Sequence, residues 1–166
     1  MTLATCGASG QTSARMVLLR GLDARGLVFY TNLNSRKSRQ IRENPRAALC
    51  FYWPSLAEQI LIEGEVETID DTEADAYWKT RPKNSRIGSW ASRQSEPMMS
   101  RFTFLRRVVA WTAWFGSERI PRPSFWSGYR VVPSRIEFWI NRPFRLHERL
   151  CFEREGETWT RRVLYP

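Results

Sequence analysis

Five short stretches of strand-forming residues fill the first 67 residues of the chain, before any long helix is predicted. They lie at 2–5, 16–19, 27–31, 47–53 and 59–67, and residues 21–26 are predicted as a turn. The last stretch alternates, so that Ile60, Ile62 and Val66 share one face. Many short strands with turn residues between them favour a small antiparallel barrel or sheet over a parallel α/β fold.

Caps, apolar spacing and proline stops predict three helices. The first is capped by Asn34 or Ser35 and ends before Pro45. The second begins at residue 70 or 71 and continues to about 81, with a loop expected at 83–86 and one further helical turn at 87–92. The third spans 100–115, where spaced aromatic and aliphatic side chains indicate core or subunit contact rather than a cofactor pocket. That stripe consists of Phe104, Val108, Trp111 and Phe115.

Strand signals return in the last quarter of the chain. Residues 129–132 and 135–140 predict two strands joined by Pro133-Ser134. Residues 149–153 and 158–164 predict a terminal hairpin. The sequence therefore predicts a mainly β fold with helices, of the antiparallel α+β class, forming a single domain over 1–166.

The chain is strongly basic, with a net charge of +9 and an isoelectric point of about 10.2. Such a charge indicates an anionic partner, which could be a phosphate ligand, nucleic acid or an acidic surface, or else only a solvated basic surface. The first helical turn narrows the choice, because Arg36 and Lys37 lie where helix N–H groups are already positive. A bound anion would remove that conflict, so we expect a phosphate site there.

The spacing of the cysteines and the hydropathy of the chain indicate in which cellular compartment the protein is expected. Cys6, Cys50 and Cys151 are odd in number and far apart, which matches no metal site and indicates a reducing, cytoplasmic compartment. We find neither an apolar run long enough to cross a membrane nor a signal-peptide pattern. A strand that begins at once after Met1 suggests that an N-terminal portion is missing or that the start codon is assigned too late.

His147 is the only histidine of the chain. If its segment is extended, Arg145, His147 and Arg149 project to one side and could face a polarised or anionic ligand. The alternative is an ordinary surface or core histidine. Metal, P-loop, G-x-S-x-G and G-x-G-x-x-G motifs are all missing from the sequence, so an enzyme of this kind would depend on an organic cofactor.

Six segments, in order and over nearly the whole chain, resemble the pyridoxine/pyridoxamine 5′-phosphate oxidase family. They are RMVLLRG at 15–21, VFYTNLNSRKSRQI at 28–41, the segment around Gln59, YWKTRPKNSRIGSWASRQS at 77–95, PRPSFWSGYRV at 121–131, and EFW with RLHER at 137–149. Each segment alone is weakly specific, but unrelated folds would not share all six in the same order.

The resemblance implies a split β-barrel flavoprotein that forms a homodimer, with FMN at the subunit interface and a C-terminal dimerisation region at about 121–166. It implies oxidation of pyridoxine or pyridoxamine 5′-phosphate to pyridoxal 5′-phosphate, in vitamin B6 metabolism. Hydride would pass from the 4′ carbon to the flavin, and molecular oxygen would reoxidise the flavin and give hydrogen peroxide. Neither nucleic acid nor a membrane is an expected partner.

The resemblance also implies roles for individual residues. The FMN contacts would be Arg15, Met16, Val17, Leu18, Leu19, Arg20, Tyr30, Thr31, Arg36, Lys37, Gln59, Gln94, Ser95, Trp139 and Arg149. The substrate phosphate would bind Arg20, Tyr77, Arg81 and Ser85, and the pyridine ring would face the catalytic residues Arg145 and His147. In a regular strand Arg15 and Arg20 would point to opposite faces, which requires a bulge, a strand end or a second subunit.

Several positions depart from the family pattern. The resemblance leads us to expect that the family's N-terminal segment is absent, and in this sequence Arg20 replaces a usual lysine and Glu148 a usual aspartate. Residues 140–143 replace a glutamine and a glycine-bearing turn, and residues 110–114 replace more charged ones. Three alternatives therefore stay open: a related flavin oxidase of the phenazine-biosynthesis type, a non-catalytic FMN-binding protein, and a basic aromatic barrel that binds nucleic acid.

Overall fold

The computed structural model describes residues 1–166 and contains nine strands and four α-helices. The strands are β1 (Thr2–Cys6), β2 (Thr12–Met16), β3 (Gly21–Asp23), β4 (Gly26–Asn32), β5 (Arg46–Trp53), β6 (Glu58–Thr68), β7 (Trp126–Ile140), β8 (Glu148–Glu155) and β9 (Thr158–Leu164). The helices are α1 (Arg36–Glu43), α2 (Asp71–Thr80), α3 (Lys83–Ala91) and α4 (Arg101–Phe115), and a 3₁₀ turn lies at Pro143–Arg145.

The nine strands form one sheet in the order β2-β1-β5-β6-β7-β4-β3, with β8 paired to β7 and β9 to β8. Neighbours such as β1 and β5, β5 and β6, and β8 and β9 run antiparallel. The predicted antiparallel α+β class is therefore confirmed. No helix is both long and apolar enough to span a membrane.

The chain divides into two compact units. Unit 1 comprises 1–29, 40–67 and 129–166, and its core contains the fully buried Leu3, Phe29, Leu49 and Val131. Unit 2 comprises 30–39 and 68–128. Its core is the cluster of Trp78, Ile87, Phe115, Ile120 and Trp126. The single domain over 1–166 stays a prediction.

Predictions that rest on local signals are confirmed for most elements. Asp70 caps α2 by accepting a hydrogen bond from the backbone N–H of Glu73 at 2.7 Å. α4 covers the predicted third helix, and Val108, Trp111 and Phe115 of its stripe join the core of unit 2. The N-terminal strands other than the second, and the terminal hairpin, lie where the sequence predicts them.

The strand predicted at 16–19 is wrong. β2 ends at Met16, and the chain then leaves the regular ladder until Gly21, where strand β3 begins. The turn predicted at 21–26 is confirmed only at residues 24 and 25, between β3 and β4. The side chains of Met16 and Leu18 are 72% and 64% exposed, so this apolar run buries little surface. The conflict over the directions of Arg15 and Arg20 disappears, because no regular strand joins these two residues.

The loop predicted at 83–86 is also wrong, because helix α3 begins at Lys83. Pro82 precedes it with a φ of −54°, and the Pro82 carbonyl accepts hydrogen bonds from the N–H groups of Ser85 and Arg86. Ile87 and Ala91, four residues apart, are buried and fix the helix to the core. Tertiary burial therefore extends the helix into a polar sequence.

Residues 126–140 form one continuous strand, β7, rather than two strands broken at Pro133. Proline lacks only the N–H, and the Ser134 hydroxyl donates to the Glu63 carbonyl of β6 at 3.2 Å, which keeps the two strands in contact past the proline. The close approach depends on Gly26 and Gly64, since a Cβ at either position would collide with the β7 backbone at Val131 or Val132.

Candidate functional site

Lys37 is the centre of a polar cluster in unit 2. It lies in the first turn of α1 and is only 9% exposed. Its ammonium donates to Thr31 Oγ1 at 3.1 Å, Ser35 Oγ at 3.3 Å and Gln94 Oε1 at 3.0 Å. We call Thr31, Ser35, Lys37 and Gln94 the Lys37 cluster. Burying an ammonium costs free energy unless its donors are satisfied, and these neutral oxygens satisfy them without neutralising the charge.

The helix start beside this cluster adds backbone donors. The N–H of Arg36 donates to Ser95 Oγ at 3.1 Å, while the Arg36 side chain is exposed. The structure thus brings together Thr31, Arg36, Lys37, Gln94 and Ser95, five of the predicted cofactor residues, from three separated segments. A buried cation next to a helix N-terminus is a suitable site for a phosphate group.

Three aromatic rings are stacked in the same unit. Tyr30 lies against Tyr77 with ring centroids 4.0 Å apart, and against Trp126 with centroids 5.3 Å apart. The planes differ by 17° and 8°. A predicted cofactor residue, Tyr30, and a predicted substrate residue, Tyr77, therefore touch each other, and a core tryptophan supports both.

Arg81 lies next to this stack. Its guanidinium is 4.5 Å from the Trp126 ring centroid and 5.0 Å from that of Trp78, distances typical of cation–π contacts. Nη1 also donates to Ser89 Oγ at 2.8 Å. Ser85, which is exposed, lies one helical turn before Ser89. Tyr77, Arg81 and Ser85 thus occupy α2, its C-terminus and α3.

In unit 1, Arg15 belongs to a polar network on β2. Its guanidinium donates to Thr5 Oγ1 at 2.6 Å, to the Leu3 carbonyl at 3.2 Å, to Gln40 Oε1 at 3.4 Å and to the Ser13 hydroxyl. The predicted residues that follow it have mixed exposure. Met16, Leu18 and Arg20 are exposed, and Val17 and Leu19 are half-buried.

Gln59, Trp139, Arg149 and His147 are the remaining predicted residues with ordered contacts in unit 1. Trp139 on β7 pairs with Arg149 on β8, and its ring centroid is 4.7 Å from that of His147. Gln59 Oε1 on β6 is 3.6 Å from Cys50 Sγ on β5. The sheet therefore positions Trp139 and Arg149 side by side, with the imidazole against the tryptophan.

The segment at 145–147 is not the extended strand that the sequence predicts. Pro143–Arg145 forms a 3₁₀ turn, Phe144 and Arg145 have φ values of 58° and 64°, and β8 starts only at Glu148. Arg142 closes this 142–148 loop through a bidentate ion pair with Glu148 at 2.8 and 3.1 Å. Arg145 and His147 therefore do not share a strand face.

The contacts of His147 define its donor atom. The N–H of Arg142 donates to His147 Nδ1 at 3.3 Å. A neutral imidazole whose Nδ1 accepts carries its proton on Nε2. His147 can thus donate a hydrogen bond from Nε2 to a polar ligand atom.

Sequence reasoning missed Glu137, which supports this end of the sheet. The side chain of Glu137 is 3% exposed and accepts from Arg149 Nε at 2.7 Å and from Arg135 Nη2 at 2.6 Å. The Arg149 hydrogen bond lowers the pKa of Glu137, burial opposes the shift, and Arg135 adds to it. Its position two residues before Trp139, on the same strand face, was the available signal.

Ionisable groups elsewhere do not form a metal centre. The structure contains no group of three or more histidine, cysteine, aspartate or glutamate side chains that could hold a metal ion. At the loop, the hydrogen bond from Arg142 lowers the pKa of Glu148, which keeps this ion pair charged. In unit 2 the Lys37 cluster is suited to an anion. In unit 1 His147 can donate a hydrogen bond beside Trp139 at the end of the sheet.

Known proteins are similar to this chain in both fold and sequence. The family model described as Pyridoxamine 5′-phosphate oxidase matches residues 1–115. A second, described as Pyridoxine 5′-phosphate oxidase C-terminal dimerisation region, matches residues 126–166. The chain belongs to the pyridoxamine 5′-phosphate oxidase family, as its resemblance predicts.

Individual relatives are similar over the full length of the chain. A Rhodospirillum rubrum protein named pyridoxine/pyridoxamine 5′-phosphate oxidase is 52% identical, over 100% of this chain and 85% of its own. A protein of the same name from Alkalilimnicola ehrlichii is 54% identical, over 99% and 85%.

Two solved structures have the same fold. PhzG from Burkholderia lata 383, in complex with tetrahydrophenazine-1-carboxylic acid, has a TM-score of 0.94 and 33% identity, over 99% of this chain and 81% of its own. An FMN-binding protein from Nostoc punctiforme has a TM-score of 0.79 and 21% identity, over 99% and 87%, and shows the fold alone. The predicted split-barrel fold is thereby confirmed.

Proposed function

We propose that this chain is an FMN-dependent oxidase that converts pyridoxamine 5′-phosphate or pyridoxine 5′-phosphate to pyridoxal 5′-phosphate. The observation that carries the proposal is identity of about half, along the whole chain, to enzymes named for these two substrates. Bound FMN would supply a two-electron acceptor for a hydride from the 4′ carbon, and molecular oxygen is the proposed final acceptor.

The residues of unit 2 fit the cofactor's phosphate. The Lys37 cluster provides a buried ammonium, and the adjacent start of α1 provides backbone N–H groups. Arg36 is exposed beside them and can close on an anion. The cofactor roles of Arg15 to Arg20, Tyr30, Gln59, Trp139 and Arg149 stay predictions from the family pattern.

Arg81, Tyr77 and Ser85 are the proposed anchors of the substrate phosphate, with Arg20 as a further contact. Arg81 is a planar donor held against aromatic faces, which suits recognition of a phosphate. His147, with its donor at Nε2, and Arg145 are proposed to face the pyridine ring. Holding the 4′ carbon at the right distance would be their main contribution to rate.

The proposed assembly is a homodimer, since residues 126–166 match a family region described by dimerisation. Phosphorylated ligands are the proposed anionic partners of this basic chain, and neither nucleic acid nor a membrane is proposed. A cytoplasmic location is proposed because Cys6, Cys50 and Cys151 are all free thiols.

Purification and steady-state assay test the function. We expect a yellow protein that releases FMN on denaturation and forms pyridoxal 5′-phosphate and hydrogen peroxide from pyridoxamine 5′-phosphate. Loaded protein that oxidises neither vitamer would favour a non-catalytic FMN-binding role. The altered turn at 140–143 would then be the leading explanation.

A second candidate function is oxidation of a phenazine precursor. It is favoured by the TM-score of 0.94 to a protein solved with tetrahydrophenazine-1-carboxylic acid. Arg81, with Tyr77 and Ser85, favours a phosphorylated substrate instead. Parallel assays with both substrates separate the two, because the phenazine precursor has a carboxylate and no phosphate.

A further inference from the structure

Arg81 is restrained by two kinds of contact, and the second involves a residue with no assigned role. The rings of Trp126 and Trp78 lie 4.5 and 5.0 Å from the guanidinium carbon and restrict its distance from the aromatic surface. The Ser89 hydroxyl, 2.8 Å from Nη1, restricts rotation of the group over that surface. Together they define both the position and the direction of a side chain that is otherwise flexible.

The hydroxyl of Ser89 is itself oriented by the helix. It donates to the Ser85 carbonyl one turn earlier, at 3.1 Å. A carbonyl can only accept, so the single hydroxyl proton of Ser89 is used in this bond and its lone pairs are directed to donors. Arg81 Nη1 is such a donor. Ser89 thus relates the geometry of α3 to the direction of the Arg81 guanidinium.

We infer that Ser89 is a positioning residue that aims Arg81 at the phosphate of the substrate. This inference rests on the proposed function, in which Arg81 anchors that phosphate. The guanidinium is planar and rigid, so restraint of one edge fixes the directions of its other N–H groups. Loss of the Ser89 contact would leave the positive charge of Arg81 in place but allow its guanidinium to adopt a wider range of orientations.

The structure separates this role from a role in folding. Ser89 is half-buried in the interior of α3, where alanine is the better helix former. Ser89→Ala removes a bond back to the carbonyl of residue 85, which does little to stabilise a helix. We therefore expect an unchanged melting temperature and unchanged flavin content in this variant.

Steady-state kinetics of the FMN-loaded protein test the inference. For Ser89→Ala we expect the KM for pyridoxamine 5′-phosphate to rise about threefold to tenfold, with kcat changed less than about twofold. The inhibition constant of inorganic phosphate, used as a competitive inhibitor, should rise by the same factor. Ser89→Thr keeps the hydroxyl and should restore both constants. Asn84→Ala, an exposed change on the same helix, is the matched control and should change neither.

The outcomes distinguish the inference from the function on which it rests. A parent-like KM and phosphate inhibition in Ser89→Ala, when Arg81→Ala raises the KM, would overturn the positioning role and leave the oxidase function intact. A fall in kcat at constant KM would also overturn it. If the parent oxidises neither vitamer, the function fails, and binding of pyridoxal 5′-phosphate is then measured by its absorbance. Weaker binding by Ser89→Ala supports the inference, and unchanged or undetectable binding overturns it.

Discussion

The Lys37 cluster and the 142–148 loop both present basic side chains, but the two regions are held by different means. In the cluster, a nearly buried ammonium is surrounded by the oxygens of Thr31, Ser35 and Gln94. In the loop, the exposed Arg142 and Glu148 form an ion pair across a turn whose side chains face solvent. The free energy of desolvating a charge has been spent in the first region and not in the second.

The two regions differ in whether their side chains are ordered before a ligand binds. A site whose donors are already fixed binds its anion with little further loss of conformational entropy. The loop contains the left-handed Phe144, which is 91% exposed, so few packing contacts oppose its local opening. We therefore expect the Lys37 cluster to be preorganised and the 142–148 loop to become ordered only on ligand binding or assembly.

The largest expected effect lies in the cluster. Lys37→Ala should weaken FMN binding about tenfold to a hundredfold, because the phosphate would lose a charge-assisted contact, made in exchange for one of the three neutral acceptors, that is worth about 1.5–3 kcal/mol. Flavin titration followed by fluorescence quenching measures this change. Arg39→Ala removes an exposed cation from the same helix and should bind FMN like the parent. Equal losses in the two variants would mean that net charge, and not the buried ammonium, carries the affinity.

The strand ends beneath the loop should be sensitive to acid. The pKa of Glu137 is held below its ordinary value of 4.5, so its stabilising contribution is present above about pH 4.5 and is lost as the pH falls below that value. Glu137→Gln should cost about 1–2 kcal/mol at neutral pH, because its arginine partners are partly exposed and Gln still accepts one bond.

Urea unfolding of Glu137→Gln at pH 7 and pH 4 measures that contribution, with the exposed Glu157→Gln as control. The stability gap between variant and parent should narrow at pH 4. A gap of constant size would show that packing, and not charge, accounts for the loss.

In the loop itself, His147→Ala should lower turnover about fivefold to tenfold, the worth of one hydrogen bond, while FMN stays bound. The donor at Nε2 is the group removed, since Nδ1 is already occupied by the Arg142 N–H. Leu146→Ala perturbs the same loop without touching the imidazole. If Leu146→Ala matches His147→Ala, the effect comes from loop order and not from the imidazole.

The smallest effect concerns backbone strain. Phe144 has a φ of 58°, a conformation that glycine adopts at less cost, so Phe144→Gly should raise stability by up to about 1 kcal/mol. Leu146, with a φ of −84°, gains nothing from the same change and should lose stability. Thermal melting compares the two. A destabilised Phe144→Gly would mean that the exposed ring is covered by a partner subunit in solution.

The sequence predicted well those features of the fold that depend on neighbouring residues. The Asp70 cap and the alternation of β6 depend on neighbours within a few residues, so their signals are complete in the sequence. The helical turn predicted at 87–92 lies in α3, but the start of α3 at Lys83 and the unbroken β7 depend on burial and on partner strands, which outweigh the polar run at 83–86 and the presence of Pro133. No single-sequence pattern contains that information.

The candidate site divides in the same way. The first turn of α1 indicated an anion site by charge alone, and the family pattern supplied Gln94 and Ser95. The supporting residues Glu137 and Ser89 were missed, because their roles arise from contacts with Arg149 and Arg81, which lie outside the elements that contain them. The left-handed turn before His147 was missed as well, and it lies inside the loop that the Arg142–Glu148 ion pair closes.

The close passage of β7 over two glycines limits how the gene for this protein can vary. At Gly64 the obstacle is purely steric, since even one methyl group would displace the backbone at Val132. At Gly26 a φ of +142° adds a conformational obstacle to the steric one at Val131. If a library that randomises the whole gene is selected for folded protein, substitutions at these two codons should be nearly absent among the survivors. Substitutions at neighbouring surface codons should remain common.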